Sequence, residues 1–257
     1  IARAGIPLEV PPEAALAERL SDVLSVVYLS FNEGYLGTSG EEPLSRELTG
    51  EAVRLCRALA GLMPDEPEPT GLLALMLLND ARRSTRLSAS GAIVPLEEQD
   101  RGRWDAEMAR EGAGLVEAAL RRGRVGPYQV QGAIAALHVG APTFAETDWA
   151  QIVLLYRELM RLTPTPVVAL NAAVATGMAF GPEDGLRALA ALAADPRSSD
   201  VLAEYHLWHA ANADLRRRAG HAADALPWYR RAQALAPTAA ERAYLARRVA
   251  ECGGDPA

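Results

Sequence analysis

In the stretch GHAADALPWYRRAQALAP, residues 220–237, small, aromatic and helix-breaking residues recur at the spacing of two packed helices. Its first glycine permits the tight turn that ends one helix, and Pro237 ends the next one. Between them, Ala225 and Ala232 are small enough to let neighbouring helices approach closely, while Tyr229 fills the space between those helices. The stretch therefore predicts the second helix of an antiparallel helix pair.

This spacing, Gly-x4-Ala-x3-aromatic-x2-Ala-x4-Pro, resembles the second helix of a tetratricopeptide (TPR) repeat. Parts of it recur at three earlier places: Ala52, Cys56, Leu59 and Pro64; Ile152, Tyr156, Leu159 and Pro164; and Gly185, Leu189 and Leu192 followed by Pro196. The closing prolines are irregularly spaced, so the alternative is an ordinary helical bundle whose short helices end in proline by chance. The last unit favours repeats, and we predict an all-α fold in which antiparallel, TPR-like helix pairs form an irregular α-solenoid.

The rest of the sequence also indicates helices. It is rich in Ala, Leu, Glu and Arg, which favour helix, and its 21 Gly and 17 Pro predict short, numerous elements. Apolar residues surround the segment 68–83 on all sides, which predicts a helix buried between neighbours. Periodicity and Gly or Pro junctions predict helices over about 11–35, 48–62, 68–83, 99–122, 127–138, 148–162, 166–179, 182–194, 199–218, 221–235 and 238–252.

A longer loop is expected over 84–95, with a short extended piece at 92–94. The domain organisation expected from these patterns is a linker over 1–12, an N-terminal helical part over 13–125, TPR-like repeats over 126–252 and a disordered tail over 253–257.

The charge of the sequence argues against binding to nucleic acid or to anionic membranes. Its formal net charge is −7, and all 26 basic residues are Arg, whereas nonspecific DNA binding needs a positive footprint. The acidic run 97–100 is typical of a helix start, and Arg clusters at 82–83, 121–122 and 216–218 lie at predicted helix C-termini, where each sign opposes the helix dipole. No run of about 18 apolar residues could span a membrane. Cys56 and Cys252 form no disulfide framework, so we expect a reducing, cytoplasmic location.

The sequence lacks the common catalytic patterns, since it has no P-loop, GxGxxG, HExxH or GxSxG motif. His206 and His209 are three residues apart on a predicted helix, so both could reach one metal ion. A third ligand at a useful spacing is missing, and the simpler interpretation is two polar side chains in a groove between helices. We therefore predict no enzyme activity, no metal and no cofactor.

Three short polar segments are not explained by simple helix packing. They are FNEGY at 31–35, EQDRGRWD at 98–105 and GPYQVQ at 126–131. Buried Asn, Gln and Glu need hydrogen-bond partners, so these segments either tie helix layers together or form one functional cleft. The candidate residues for that surface or cleft are Asn32, Glu33, Tyr35, Gln99, Asp100, Arg101, Trp104, Tyr128, Gln129 and Asn171.

The same segments, in the same order, resemble the C-terminal extension of a subgroup of extracytoplasmic-function (ECF) RNA polymerase sigma factors. The similar blocks are at 4–11, 26–35, 64–77, 98–105, 126–131, 148–156 and 168–174 around Asn171. One departure is Ala172, which stands where this resemblance leads us to expect Arg.

The resemblance implies a TPR-like helical extension that follows sigma regions 2 and 4, which are absent from this chain, and that modulates transcription initiation. Its partners would be its own sigma regions or RNA polymerase, with no direct DNA binding by this part of the protein. The absence of an initiator Met agrees with an upstream part of that kind.

Three hypotheses on function stay open. The first is the regulatory module that the resemblance implies. The second is a binder of a small molecule, or an enzyme, whose site is formed by the polar candidate residues if they converge in space on a pocket. The third is a TPR scaffold that holds a peptide, without any link to transcription.

Overall fold

The structure, a computed structural model, describes residues 13–36 and 46–254, with side chains over 19–35 and 46–254. In these ranges the chain forms twelve α-helices and no β-strand, which confirms the predicted all-α class. The helices are α1 Glu13–Leu36, α2 Arg46–Leu62, α3 Pro67–Asp80, α4 Ala106–Leu120, α5 Pro127–Gly140, α6 Trp149–Leu162, α7 Pro166–Phe180, α8 Pro182–Ala193, α9 Pro196–Ala203, α10 His206–Arg218, α11 Ala222–Leu235 and α12 Ala239–Glu251. The linker predicted over 1–12 and the end of the predicted tail, 255–257, lie outside the described residues.

Each helix packs against the next one along the chain, as short connections require. The centre of the N-terminal part is α3, which also contacts α1 and α5. Every residue over 72–78 is at most 4% exposed, which confirms the prediction of a helix buried on all sides. None of the described helices combines the length and the apolar character needed to cross a membrane.

The helix pair predicted from the stretch 220–237 is present as α10 and α11. Ala225, Tyr229 and Ala232 are each at most 1% exposed. They form a core cluster with residues of α10 and α12, including Leu245. The small and aromatic residues therefore have the packing roles that their spacing predicted.

The single helix predicted over 199–218 is wrong, because the chain forms α9 and α10 with a break at 204–205. α9 begins early, where Asp195 caps its N terminus by accepting a hydrogen bond from a backbone N–H. At its other end, the ring nitrogen Nε2 of His209 lies 2.8 Å from the carbonyl oxygen of Ala203. A side chain thus satisfies a carbonyl that a continuing helix would have used.

The helix predicted over 99–122 is wrong in its first part, because α4 begins only at Ala106. The side chain of Asp100 accepts a hydrogen bond from the Gly102 N–H at 3.0 Å and holds a 3-10 turn there. The side chain of Asp105 then caps α4 by accepting two backbone N–H groups. Short acidic side chains therefore compete for the backbone groups that an earlier helix start would use.

The α3–α4 loop, residues 81–105, contains the extended piece expected from the sequence. Leu87 and Ile93 form an isolated antiparallel bridge there. Trp104, which falls within the helix predicted over 99–122, instead lies in this loop, where its indole N–H donates to the Thr85 hydroxyl oxygen at 2.9 Å. The loop thus folds back on itself through side-chain hydrogen bonds.

Candidate functional site

The first polar segment is anchored by Tyr35, which is 4% exposed in the last turn of α1. Its hydroxyl donates to the carbonyl of Asn79 at 2.9 Å and accepts a hydrogen bond from Arg86 at 3.0 Å. The Arg86 guanidinium also lies 4.2 Å from the centre of the Tyr35 ring, a cation–π arrangement. Tyr35 therefore joins α1 to the end of α3 and to the α3–α4 loop.

The neighbouring candidates Asn32 and Glu33 are half-buried on the same turn. Asn32 hydrogen-bonds to Tyr28, and this bond partly opposes the effect of burial, which raises the pKa of Tyr28. The ring of Tyr28 meets the ring of Tyr128 edge to face, with centroids 5.6 Å apart. Tyr28 therefore links Asn32 of the first polar segment to Tyr128 of the third.

The second polar segment is held inside the α3–α4 loop. The side-chain amide of Gln99 donates to the carbonyl of Val94 at 3.0 Å, and its oxygen lies 3.5 Å from the Thr85 hydroxyl. That hydroxyl is the acceptor for Trp104. Gln99 and Trp104 therefore act as structural ties of the loop.

Arg101 connects the α3–α4 loop to the end of α5. Its guanidinium donates to the carbonyls of His138 and Ala141, at 2.6 Å and 2.8 Å, and lies 4.5 Å from the centre of the Trp104 ring. The carbonyls at the end of a helix need partners. Arg101 supplies them for α5 and leaves its NH2 group buried without a hydrogen-bond partner.

A cavity of about 260 Å³ opens beside this contact and is lined by α3, α5, α6, α7 and the start of the α3–α4 loop. Its polar wall consists of Asn79, Arg82, Gln131, His138 and Asn171, and its apolar wall includes Ile134, Leu159 and Val168. We call it the central cavity. Of these residues, Asn171 was a candidate from the sequence, whereas Asn79, Arg82 and His138 were not. They lie at or near the ends of α3 and α5, and no sequence pattern there indicates that a residue lines a cavity.

A second cavity of about 260 Å³ shares His138, Tyr156 and Asn171 with the central cavity and extends towards α10 and α12. Its acidic lining residues, Glu97 and Asp214, both pair with Arg218. The two cavities therefore adjoin each other at His138 and Asn171, and we call them together the interior groove.

Arg82, in the wall of the central cavity, has two further guanidinium groups near it, those of Arg86 and Arg101. Burial lowers the pKa of Arg82, and repulsion from Arg86 adds to this effect, while the nearby Tyr35 hydroxyl opposes it. Burial and repulsion from Arg82 lower the pKa of Arg101. His138 is held neutral, because burial and the charges of Arg82 and Arg101 lower its pKa to about 4. The sequence analysis assigned Arg82 only to the helix dipole, and the structure adds this electrostatic role.

The third segment centres on Gln129, which is fully buried in the first turn of α5. The carboxylate of Glu68 accepts hydrogen bonds from the backbone N–H groups of Tyr128 and Gln129, at 3.0 Å and 3.1 Å, and from the Gln129 side chain at 3.1 Å. This end of α5 lies nine residues, or roughly 13 Å, from His138. Glu68 thus caps the N terminus of α5, and Tyr128 and Gln129 do not line the central cavity.

We expect Glu68→Ala to lower the free energy of unfolding by about 2 kcal/mol, because three donors lose a charged acceptor. Urea denaturation followed by circular dichroism would measure the change. Glu107→Ala is the matched control, since Glu107 is exposed in the first turn of α4. Equal, small effects of both substitutions would contradict the capping role of Glu68.

The acidic run 97–100 was predicted to begin a helix, and this interpretation is wrong. Glu97 and Glu98 instead pair with Arg248 at 3.1 Å and 3.0 Å. Arg248 has only 6% of its side chain exposed and lies in α12. A further pair joins Glu98 to Arg247 at 2.8 Å. The run therefore ties the α3–α4 loop to the C-terminal helices.

His206 and His209 do not form a metal site together with a third ligand. His206 lies 3.1 Å from the Glu241 carboxylate, while His209 bonds to a backbone carbonyl. Within the part of the chain that the structure describes, no group of three His, Cys, Asp or Glu side chains could hold a metal. The simpler structural interpretation of both histidines fits these contacts.

Two comparisons with known proteins add to this geometry. Residues 19–120 match a family of unknown function, DUF6596. The whole chain is 44% identical to an uncharacterized protein of Rhizobium meliloti (strain 1021), and it spans 59% of the length of that relative. No solved structure matches the chain. The family match covers the first two polar segments, Arg82 and Arg101, whereas the match to the relative also covers α5 to α12.

Proposed function

We propose that this chain is a regulatory helical module that modulates transcription initiation as the C-terminal extension of an ECF sigma factor. It acts in the cytoplasm through contacts with sigma regions 2 and 4 or with RNA polymerase, and it binds rather than catalyses. The match to the relative from Rhizobium meliloti supports this proposal, since the chain spans only 59% of the length of that relative.

The observation that carries the proposal is the meeting of segments that are far apart in sequence. Tyr35 bonds to Asn79, Arg101 bonds to the end of α5, and Asn79 lines the central cavity together with Asn171. The blocks that resemble the sigma-factor extension thus support one interior groove. Because the groove and the loop network are connected, binding at one of them can alter the affinity of the other for its partner.

The finer architecture that we propose is an irregular, TPR-like α-solenoid. Sequential helix packing and the buried positions of the α10–α11 pair support it. Ala52, Ile152 and Leu189, which occupy related positions in the earlier units, are each at most 2% exposed. An array of such pairs offers extended surfaces for a protein partner.

The outer face of α1 is the surface that we assign to this partner. Val23, Val26 and Leu29 lie three residues apart and are 45%, 62% and 67% exposed. Side chains at this spacing share one helix face, and exposed apolar residues in a row are typical of interaction sites. The stripe lies within the block at 26–35 that resembles the sigma-factor extension.

Transcription from a cognate promoter, with the full-length protein that contains this chain and with the same protein lacking it, tests the proposal. We expect a change of about fivefold or more, the usual size of coupling between sites. Lost activity would identify a positive element and raised activity an autoinhibitor. Equal activity of the two proteins would contradict the regulatory function.

Surface variants sharpen this test without removing the domain. Val26→Ser combined with Leu29→Ser should change transcription in the same direction as the deletion. Val201→Ser is the control, because Val201 of α9 is also 57% exposed but lies far along the chain from α1. An effect of the control as large as that of the double variant would exclude α1 as the contact surface.

The second candidate function is small-molecule sensing, which the central cavity favours. A pocket of a few hundred Å³ with convergent polar groups is the usual form of a ligand site. A peptide-binding TPR scaffold without a link to transcription is the remaining alternative, and the deletion experiment separates it from the regulatory module.

A further inference from the structure

The described wall of the central cavity contains a buried arginine and no carboxylate. Arg82 and His138 line it, Arg101 contacts the backbone of His138, and Arg86 lies near Arg82. Among the residues that the structure describes, none of these arginines lies within ion-pair distance of a carboxylate. This is notable in a chain whose net charge is −7.

Among the other partly buried arginines that the structure describes, four are paired with carboxylates, whereas Arg216 donates to Asn212 and lies over the Trp228 ring. Arg83 binds Asp80, Arg217 and Arg218 bind Asp214, and Arg248 binds Glu97 and Glu251. Buried charges normally have such partners, because an unpaired ion out of water is costly. The cations around the central cavity therefore depart from the pattern of this same protein.

Three polar atoms near the cavity are buried without a hydrogen-bond partner: Arg82 Nε, Arg101 NH2 and His138 Nδ1. Buried polar atoms in folded proteins nearly always have a partner. The Arg82 NH2 group is oriented by a bond of 2.9 Å to the side-chain oxygen of Asn79, which leaves the adjacent Nε available. A guanidinium held in this way can donate to a planar anion.

The pKa values agree with this geometry. Burial lowers the pKa of Arg82, Arg101 and His138, and in each case a neighbouring guanidinium adds to the effect. Each of these groups is therefore less stable in its charged form than it would be in water. An anion among them would oppose both effects.

The rest of the cavity wall indicates what kind of molecule would carry an anionic group into the cavity. Ile134, Leu159 and Val168 provide an apolar surface, while Gln131 and Asn171 provide amide groups. A volume of about 260 Å³ fits a small organic molecule and excludes a folded domain or a nucleic acid strand.

We propose that the central cavity binds a small organic anion, whose carboxylate or phosphate group lies against Arg82 and whose apolar body packs on Ile134, Leu159 and Val168. The signalling role of this ligand rests on the proposed function, whereas the binding itself does not. Asn171 lies beside the second cavity as well, so an occupant would contact the junction of the interior groove.

Thermal unfolding of the whole chain with three matched probes tests the site. Benzoate carries a carboxylate on an apolar ring, phenyl phosphate carries a phosphate on the same ring, and benzamide is the neutral analogue. We expect at least one anion, at millimolar concentration, to raise Tm by about 3 °C, and benzamide to raise it far less. The two anions distinguish a carboxylate ligand from a phosphate ligand.

Variants locate the effect. Arg82→Gln should abolish the Tm increase, and Asn171→Leu, which fills the cavity from α7, provides a second test if Arg82→Gln fails to fold. Arg103→Gln is the matched control, because Arg103 lies exposed in the same loop, and it should keep the increase. An equal effect of benzamide, no effect of either anion, or an effect that survives both cavity variants would overturn the proposal.

The binding and transcription experiments fail independently. Anion binding without any effect of the domain on transcription would leave the site intact and contradict the regulatory function. A domain that alters transcription but binds neither anion would support the regulatory function and contradict the anion site.

Discussion

Replacing Gly71 with alanine is expected to lower the free energy of unfolding by about 3 kcal/mol. A Cβ at this position of α3 would lie 2.7 Å from the backbone nitrogen and 2.9 Å from the Cα of Gln129 in α5. Because backbone atoms cannot turn away as a flexible side chain does, the two helices would have to separate. Their separation would also pull Gln129 away from Glu68, whose carboxylate accepts its hydrogen bonds.

Gly114→Ala is the matched control for this experiment. Gly114 is exposed in α4, and a Cβ there would meet no atom within 4 Å. Alanine has the higher helix propensity, so this variant should be more stable than wild type by up to about 1 kcal/mol. Urea denaturation of the three proteins would show the opposite signs, and equal effects would contradict the close contact between α3 and α5.

Local patterns were sufficient for much of the fold. The apolar residues around α3 predicted its burial, and the spacing of Ala225, Tyr229 and Ala232 predicted the packing of α11 against its neighbours. In both cases the information lies within a few helical turns, where periodicity reports directly on the buried face.

Long-range partners explain where the sequence analysis went wrong. The run at 97–100 has the composition of a helix start, but Glu97 and Glu98 pair with arginines more than 100 residues away. The break between α9 and α10 is a different case, since the bond between His209 and the carbonyl of Ala203 spans only six residues. No sequence motif marks either contact, so propensity alone favoured longer helices.

The candidate site was predictable in part. Tyr35, Gln99, Arg101 and Asn171 were selected because polar residues in a helical chain need partners, and the structure places them in or beside the loop network and the central cavity. Arg82 and His138 were not selected as site residues, because their role depends on their proximity to each other in the fold. They are 56 residues apart, and only the packing of α3 against α5 brings them into the wall of one cavity.

Replacing His138 with glutamine is expected to make stability less sensitive to acid. The folded protein holds the pKa of His138 at about 4, against an ordinary value of 6.5. Between these two pH values the unfolded chain binds the proton and the folded chain does not, so stability falls as the pH decreases. Wild type should therefore lose about 2 to 3 kcal/mol more than His138→Gln between pH 7 and pH 4.

Urea denaturation at a series of pH values would measure this difference. His221→Gln provides the control, because it removes a histidine from an exposed position and should leave the acid sensitivity of the wild type in place. Identical pH profiles for wild type and His138→Gln would show that His138 does not cause the expected loss of stability at acidic pH.

The same titration connects His138 to the proposed ligand. Arg82 and Arg101 contribute to its low pKa, so an anion bound against Arg82 would offset part of their charge. Histidine NMR signals recorded with saturating benzoate should then report a pKa closer to 6.5 than without it, while benzamide should leave the pKa near 4. A ligand that stabilised the chain without moving this pKa would have to bind outside the central cavity.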